Sequence, residues 1–503
     1  MKSLPRSIYL ALLIFALGLS AIPTANFSGA QVSAQSETKR YVIIYHQQNA
    51  IPLTAESKVA SMGGTVVARL PEIGVLVATS SNPKFMDELA NADSKVADIA
   101  EDIELKMIPS PGEMNARALT ASDVAAAGDG PVEPPGSDAQ TGSEPFYNAF
   151  QWAQKRVRAS NQGSYAVQQG RPDVVVAVLD TGAQILPTPH PDLLPNLDTA
   201  RSRSFFPVQP SPNGDPNPVA WDDRNGHGSH CMSNIGAPIN GIGMSGVAPR
   251  VRLVALKVLG DNGTGSFVSL AQALVYAGVN KFDVASMSLS GYIPRSNQGA
   301  HVLLKLVQRA VNFARSNGVT PVAALGNDGF NVSDGDFFRD FLTVPAEVDG
   351  VIGVSATGYT NLKAGYSNYG VGKTDVSGPG GDFAATQTPH FGLVLGAWAS
   401  DSATLPGANY ALSAGTSMAC PQAAGVCALI ISQYGDFTPD NSQKLHMSPQ
   451  AVESILQQTA NNQPCPDPYV VPTQRCQGNA GYNNFYGKGI VDAFKAVTEG
   501  PGD

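Results

Sequence analysis

Three short segments of this 503-residue chain each place one chemically competent side chain among glycines and other small residues. They read VLDTG at residues 178–182, NGHGSH at residues 225–230 and GTSMA at residues 415–419. Together they supply Asp180, His227 and Ser417. A serine hydroxyl is a weak nucleophile at neutral pH, and it becomes effective when an imidazole that is oriented by a buried carboxylate takes its proton. The three side chains therefore indicate acyl-transfer chemistry with a serine nucleophile.

The order of these three residues along the chain distinguishes between families of serine hydrolases. Asp, then His, then Ser differs from the Ser–Asp–His order of α/β-hydrolases and from the His–Asp–Ser order of chymotrypsin-type barrels. The motifs DTG, HGSH and GTSMACP resemble those of the subtilisin family of serine proteases, and the resemblance covers about residues 146–497. Ser229 stands where that family usually has Thr, and Cys231 resembles the free cysteine of proteinase K-like members.

The resemblance implies a serine endopeptidase with assigned catalytic roles. Asp180 orients His227, which takes the proton of Ser417 as general base. The side-chain amide of Asn327, in the sequence GNDG, is the expected oxyanion donor together with the Ser417 backbone N–H. Two segments and one glycine are expected to hold the substrate as an added β-strand, and they comprise Gly263, Thr264, Gly265, Ser288, Leu289, Ser290 and Gly326. Ser290 replaces the usual glycine, and we expect its side chain to narrow the primary specificity pocket.

The resemblance also implies a structural calcium site, although no cofactor is expected to take part in catalysis. Hard oxygen ligands from a carboxylate, side-chain amides and backbone carbonyls suit Ca²⁺. The positions that match the tight calcium site of the family are Asn148, Asp192, Pro238, Asn240, Ile242 and Met244.

Other polar residues near His227 allow alternative assignments, either as a metal site or as the orienting carboxylate. His230 follows three residues later, so the pair could bind a metal; however, zinc-protease helices space their histidines four apart with a Glu between them. We therefore interpret His230 as a structural, hydrogen-bonded histidine. Asp222 and Asp223 are the nearest alternatives to Asp180, but they lie beside Arg224 in a polar loop, and we expect them to be solvated.

Composition and the N-terminus indicate an exported protein. The net charge of -9 argues against nucleic acid or an anionic membrane as a partner. Lys2 and Arg6 precede an apolar run at residues 8–19 that is too short to span a bilayer, so we interpret residues 1–34 as a secretory signal peptide. We expect a secreted, extracellular or periplasmic protein without stable membrane association. We also expect it to be a monomer that acts on protein or peptide substrates.

The chain before the protease region divides into two further segments. Residues 40–109 alternate strand and helix patterns in the order β-α-β-β-α-β, which predicts a ferredoxin-like module. Its position resembles that of the subtilisin propeptide, which implies an intramolecular inhibitor and folding aid. Residues 110–145 are poor in large apolar side chains, so we expect a disordered linker that contains or adjoins the processing site. The peptidase domain is predicted at residues 146–497.

Within that domain, short apolar strands alternate with helical stretches, which predicts an α/β fold with a parallel, doubly wound sheet of the subtilisin type. The strands are predicted at residues 174–179, 251–259, 284–289, 320–325 and 351–354. Active sites in such sheets gather at the carboxyl ends of strands, and both Asp180 and Asn327 follow a predicted strand.

The chain contains five cysteines. We predict a disulfide between Cys465 and Cys476, and buried thiols at Cys231, Cys420 and Cys427.

The favoured function is a self-processing secreted endopeptidase. The alternatives are a dedicated maturation protease of narrow specificity, a secreted esterase that uses the same triad, and a binding protein with an inactive protease fold.

Overall fold

The computed structural model describes residues 37–500 except 111, 128–132, 135–137, 208–213, 334–340, 383–391, 438–444, 468–470 and 472. The predicted signal peptide, residues 1–34, lies outside the described residues. The helices are α1 (Ala55–Ser61), α2 (Phe85–Ala92), α3 (Ala121–Ala127), α4 (Tyr147–Phe150), α5 (Trp152–Arg156), α6 (His227–Gly236), α7 (Phe267–Val279), α8 (Gln298–Ser316), α9 (Thr416–Tyr434), α10 (Pro449–Thr459) and α11 (Ala493–Thr498). Across the described part of the chain, no helix combines the length and the apolar character needed to cross a membrane.

The first ten strands are β1 (Lys39–Tyr45), β2 (Gly64–Leu70), β3 (Val75–Ser80), β4 (Val96–Glu101), β5 (Glu104–Lys106), β6 (Arg117–Ala118), β7 (Val175–Asp180), β8 (Arg203–Ser204), β9 (Arg252–Lys257) and β10 (Thr264–Ser266). The remaining strands are β11 (Val284–Met287), β12 (Gly291–Pro294), β13 (Thr320–Ala324), β14 (Phe341–Val344), β15 (Ile352–Thr357), β16 (Val376–Pro379), β17 (Val394–Ala397), β18 (Tyr410–Ser413), β19 (Asp436–Phe437), β20 (Leu445–His446), β21 (Gly478–Asn479) and β22 (Tyr482–Asn483).

A seven-stranded sheet forms the centre of the protease region. Its strand order is β16-β15-β13-β11-β7-β9-β8, and every neighbouring pair is parallel. Alternate residues of a strand point to opposite faces. Accordingly, Val176 and Val178 of β7 belong to one apolar core, whereas Val175, Ala177 and Leu179 belong to another. This two-sided burial explains why the strands read as continuous apolar runs, and it confirms the predicted parallel sheet.

Helices cover both faces of this sheet. The first core is completed by α6, α9, α10 and α11, while α7 and α8 complete the second core. The chain therefore places the N-terminal ends of α6 and α9 on the same side of the sheet. These two helices are in contact with each other.

A smaller antiparallel sheet precedes the large one, with strand order β2-β3-β1-β4 and with α1 and α2 as its connections. The alternation along β1 divides its side chains between two cores. Tyr41, Ile43 and Tyr45 pack with α1 and α2, whereas Val42 and Ile44 join the core that contains α8. The last strand of this sheet, β4, ends at Glu101, and the next strand, β5, pairs with β10 of the protease region instead.

Part of the segment that we expected to be a disordered linker is ordered. It contains β6, which pairs with β18, and the exposed helix α3. Farther along, the Glu133 carboxylate accepts a hydrogen bond from the buried Lys155 ammonium at 2.7 Å. Composition did not predict this order because it comes from contacts with the protease region, not from a core within the segment itself.

The cysteines follow the expected arrangement. Cys465 and Cys476 are joined by a disulfide, whereas Cys231, Cys420 and Cys427 are buried thiols. Cys420 and Cys427 both lie on α9, where their separation along the helix keeps them apart.

Helix α6 begins at a glycine that no other residue replaces easily. Gly226 has a φ of 102°, in the left-handed region that side chains with a Cβ atom rarely adopt. A Cβ atom at this position would also overlap the ring of Trp398, which is fully buried. The start of α6 is therefore set by backbone conformation and by close packing together.

We predict that Gly226→Ala lowers the free energy of unfolding more than Gly407→Ala does. Gly407 also has a positive φ, 78°, but a Cβ atom there would meet nothing within 4 Å. Both variants incur the backbone strain, and only Gly226→Ala incurs overpacking, which costs about 1–3 kcal/mol. Denaturant unfolding measures the difference, and equal losses in the two variants would contradict the packing explanation.

Candidate active site

Asp180 and His227 form a buried hydrogen-bonded pair. Asp180 is the last residue of β7 and His227 is the first of α6, and the Asp180 Oδ1 atom lies 2.7 Å from His227 Nδ1. Both side chains are completely inaccessible to solvent. Because a carboxylate only accepts hydrogen bonds, the proton lies on Nδ1 and the lone pair on Nε2. The Nε2 atom has no hydrogen-bond partner among the described residues.

The loop before α6 is more buried than its sequence suggests. Asp222 and Asp223, which we expected to be solvated, are 2% and 0% exposed. Asp222 accepts hydrogen bonds from the backbone N–H groups of Ile185 and Leu186, and its burial raises its pKa. Asp223 accepts hydrogen bonds from the residues that begin α6. The expectation was wrong because the polar residues of this loop are directed inward, toward backbone donors.

Ser417 is the second residue of α9 and lies close to the histidine helix. Its Oγ atom donates a hydrogen bond to the Ser288 carbonyl at 3.1 Å, and the residue is only 2% exposed. The Cys231 Sγ atom lies 3.4 Å from the Ser417 carbonyl oxygen and 3.8 Å from His227 Nδ1. This thiol therefore packs between the two elements, and burial raises its pKa well above the usual value.

The structure does not bring His230 together with His227 as a metal pair. The His230 ring contacts the Val394 carbonyl through Nε2 at 3.0 Å, and burial lowers its pKa to about 3. It is a neutral structural histidine at physiological pH. Within the described part of the chain, the group that could offer three ligand atoms to a metal is Asp180, His227 and Cys231. The hydrogen bond between Asp180 and His227 already accounts for two members of that group.

Asn327 is oriented by the residue before Ser417. Its Oδ1 atom accepts hydrogen bonds from the Thr416 backbone N–H at 2.8 Å and from the Thr416 hydroxyl at 2.9 Å. With the oxygen used in this way, the amide nitrogen remains as a hydrogen-bond donor, and a Cβ atom on Gly415 would lie 3.6 Å from both polar atoms of this amide. Asn327 thus lies three residues after β13, at the carboxyl edge where Asp180 also lies.

The two predicted substrate segments lie on either side of residues 104–108. Thr264, Gly265 and Ser266 pair antiparallel with Lys106, Leu105 and Glu104. Beyond this pairing, the Met107 N–H donates to the Gly263 carbonyl at 3.0 Å, and the Ser290 N–H donates to the Met107 carbonyl at 2.9 Å. An extended stretch of the chain itself therefore occupies the groove between residues 263–265 and residues 288–290.

A cavity of about 400 Å³ adjoins this groove beside Asn327. Its walls include Ser290, Tyr292 and Asp328 from the protease region, together with Met107 and Ile108 from the occupying stretch. The Tyr292 hydroxyl donates a hydrogen bond to Asp328, and Asn368 donates one to the Tyr292 hydroxyl. Gly326 turns with a φ of 102° next to these groups. The sequence pattern gave no indication of Tyr292 and Asn368, because they come from strands and loops distant along the chain.

The proposed calcium ligands are only partly brought together. Asp192 is buried and accepts hydrogen bonds from the Met244 N–H and the Tyr410 hydroxyl, and burial raises its pKa to about 6. Asn240 directs its amide N–H to Asp192 Oδ1 at 3.3 Å, while its own Oδ1 accepts the Ile242 N–H. Pro238 lies earlier in the same loop.

Asn148 has a buried Oδ1 atom without a hydrogen-bond donor in the described residues. The loop at residues 238–244 is tied to the start of the protease region, because the Phe146 N–H donates to the Gly243 carbonyl at 2.9 Å. Glu144, which we did not predict, is buried against the same loop.

Comparison with known proteins agrees with this geometry. The Subtilase family, peptidase family S8, matches residues 171–489. The chain is 34% identical over 324 residues to M-protease of Shouchella clausii, and that alignment covers 64% of each protein. Subtilisin Savinase of Lederbergia lenta is 33% identical over 64% of this chain and 90% of its own length.

Two solved structures share the fold. The epidermin leader peptide processing serine protease of Staphylococcus aureus superposes with a TM-score of 0.68 at 22% identity, covering 92% of this chain and 99% of that one. A lanthipeptide protease superposes with a TM-score of 0.56 at 26% identity, covering 69% and 93% respectively. The resemblance inferred from the motifs is confirmed: the protein belongs to the subtilase family.

Proposed function

We propose that the protein is a serine endopeptidase in which Ser417 is the nucleophile, His227 the general base and Asp180 its orienting carboxylate. The observation that carries this proposal is the buried Asp180–His227 hydrogen bond of 2.7 Å. It holds the proton on Nδ1 and leaves Nε2 as the base, while Ser417 lies at the beginning of a 19-residue helix that packs against α6. The similarity to M-protease and Subtilisin Savinase supports the same activity.

The reaction follows from these positions. The Ser417 hydroxyl leaves the Ser288 carbonyl and gives its proton to His227 Nε2 while Oγ attacks the substrate carbonyl. The developing oxyanion is stabilised by the Asn327 side-chain amide and by the N–H of Ser417, and the N-terminal end of α9 favours that negative charge. His227 then protonates the leaving amine, and water hydrolyses the acyl-enzyme by the same route.

The occupied groove supports an extended peptide as the substrate. Residues 104–107 are held by backbone hydrogen bonds to residues 263–266 and to Ser290, and such pairing depends little on side-chain identity. We propose that Gly263, Thr264, Gly265, Ser288, Leu289, Ser290 and Gly326 hold a substrate in the same way. The occupying segment continues beyond the groove in both directions. The groove therefore suits cleavage within a polypeptide.

We further propose that residues 40–109 are an inhibitory propeptide with a ferredoxin-like fold, removed by self-processing after export. The strand order β2-β3-β1-β4 with two connecting helices supports that fold. The Arg309 guanidinium of α8 donates hydrogen bonds to the carbonyls of Ile73 and Tyr45, at 2.9 Å and 3.0 Å. These buried contacts, together with β5 in the groove, support the role of an intramolecular inhibitor.

Replacing the nucleophile tests both proposals. Ser417→Ala should abolish casein hydrolysis and labelling by a serine-directed phosphonate, and it should accumulate as the full-length precursor after signal removal. Ser432→Ala provides a matched control, because this buried serine lies on the same helix, where its hydroxyl donates to the Ala428 carbonyl and accepts the Arg171 N–H. Normal processing of Ser417→Ala in a protease-free background would contradict self-processing, and retained hydrolysis would contradict the assignment of Ser417.

We also propose a structural Ca²⁺ held by Asn148, Asp192, Asn240 and the carbonyls of Pro238, Ile242 and Met244. The Asn148 oxygen, which has no hydrogen-bond partner among the described residues, and the buried Asp192 carboxylate fit a hard cation. Asn240 can act as a ligand only after its side-chain amide rotates, so that Oδ1 instead of the N–H group faces Asp192. The ion would supply stability and no catalytic chemistry, by tying the entry of the protease region to the loop that follows α6.

Chelation should therefore shorten the half-life of the enzyme at high temperature without changing its initial rate. A cation at a hundredfold excess over its Kd stabilises the folded state by about 2.7 kcal/mol. Asp192→Ala should reproduce the effect of EDTA, whereas Asp173→Ala, at an exposed carboxylate, should not. An unchanged half-life in EDTA, with no bound calcium by elemental analysis, would eliminate the site.

A narrower function, a dedicated maturation protease, is favoured by one observation. Among the protease residues that line the cavity beside Asn327, Tyr292 and Asp328 form a hydrogen-bonded polar pair that disfavours a large apolar side chain on that wall. The fold similarity to a lanthipeptide protease, at 26% identity, agrees with such a role. Cleavage of a random peptide library distinguishes the two functions, because a maturation protease should select strongly at one position and a general endopeptidase should not.

A further inference from the structure

The Asp223 carboxylate connects the two segments that carry Asp180 and His227. Its Oδ1 atom accepts hydrogen bonds from the Thr181 hydroxyl at 2.9 Å and from the N–H groups of Asn225 and Gly226 at 3.0 Å and 2.9 Å. Its Oδ2 atom accepts hydrogen bonds from the N–H and the hydroxyl of Ser229, at 2.8 Å and 2.7 Å. The side chain is fully buried.

The partners of Asp223 extend these connections in both directions. The Thr181 hydroxyl, which donates to Asp223, also accepts the Gly228 N–H at 2.8 Å. The Ser229 hydroxyl, which likewise donates to Asp223, accepts the Gln184 N–H at 3.1 Å. The strand end at residues 180–184 and the first turn of α6 are therefore joined by hydrogen bonds that meet at one carboxylate.

A buried charge persists only when its surroundings stabilise it. Asp223 lies at the N-terminus of a ten-residue helix, where free backbone N–H groups and the helix dipole favour an anion. Hydrogen bonds to an ionised acceptor are about twice as strong as those between neutral groups. The Lys257 ammonium adds positive charge to the same region by donating to the carbonyls of Thr181 and Asp222.

We propose that Asp223 is a positioning residue, which fixes the His227 ring against Asp180 by holding their two backbone segments together. Asp223 touches neither substrate nor the reacting atoms. Its effect on the rate follows from geometry, because a displacement of about 1 Å at a reacting group can cost about a hundredfold in rate. The assignment of His227 as the base belongs to the proposed function, on which this inference rests.

The Thr181 hydroxyl offers the sharpest test, because it can be removed without a change in side-chain shape. Thr181→Val should lower kcat on a peptide p-nitroanilide by about tenfold to a hundredfold with little change in KM. Thr181→Ser, which keeps the hydroxyl, should restore most of the rate. Asp223→Asn should lower kcat at least as far as Thr181→Val, with a larger loss of stability.

Ser233→Ala controls for stability alone. Ser233 lies on α6, and its hydroxyl donates to the His230 carbonyl and accepts the Ala397 N–H, both at 2.9 Å. This variant should lower the Tm while leaving kcat near the wild-type value. If Thr181→Val keeps a normal kcat, or if Thr181→Ser fails to restore the rate, Asp223 is structural and the proposal is wrong.

A second measurement separates this inference from the proposed function. The measurement uses the full-length Ser417→Ala protein, because it does not require enzymatic activity. In that protein the Nδ1 proton of His227 should give a downfield proton NMR signal. Adding Thr181→Val should shift or broaden that signal, whereas adding Ser233→Ala should leave it in place. An unchanged signal with Thr181→Val would overturn the positioning role even if the wild-type protein proves to be an active protease.

Discussion

The hydrogen bond between Asp180 and His227 is the interaction on which the rest of the site depends. Neither side chain is accessible to solvent, so the carboxylate and imidazole interact in surroundings of low dielectric constant, where their mutual attraction is strong. This bond selects the tautomer that leaves Nε2 as a base. The parallel sheet places Asp180 at a strand end, and α6 approaches residues 181–182 so closely that a Cβ atom on Gly228 would overlap the Gly182 backbone, which places His227 opposite Asp180.

Ser417 is positioned by a second set of contacts, separate from those that hold Asp180 and His227. Ser417 and Asn327 are connected through Thr416, because the hydrogen bonds from Thr416 orient the Asn327 amide. The serine in turn occupies the N-terminus of α9, which packs against α6. The packing of these two helices, with the Cys231 thiol between them, therefore sets the distance between base and nucleophile. In this state the serine hydroxyl bonds to Ser288, while the chain's own residues 104–107 occupy the groove.

Much of this organisation could be predicted from the sequence because its determinants are local. Apolar runs such as that of β7 indicate strands buried on both faces, and Asp180, His227 and Ser417 occur in short motifs with flanking glycines. The burial of Asp223 could not be predicted in this way. Its neighbours Asp222, Arg224 and Asn225 are typical of an exposed loop, and the loop is buried because residues 181–186 and Trp398 pack against it. Similarly, β6 is ordered by pairing with β18, some 290 residues later in the chain.

The central claim is that Ser417 and His227 share one proton path, and a double-mutant cycle tests it most directly. The kcat for a peptide substrate is measured for the wild-type enzyme, Ser417→Ala, His227→Ala and the double variant. Each variant is first cleaved by added wild-type enzyme, which is then removed, so that none depends on its own activity to leave the precursor state. If the two residues act as a unit, each single variant loses nearly all activity and the double variant loses little more. Losses that multiply, so that the double variant falls by the product of the two single effects, would contradict a shared proton path.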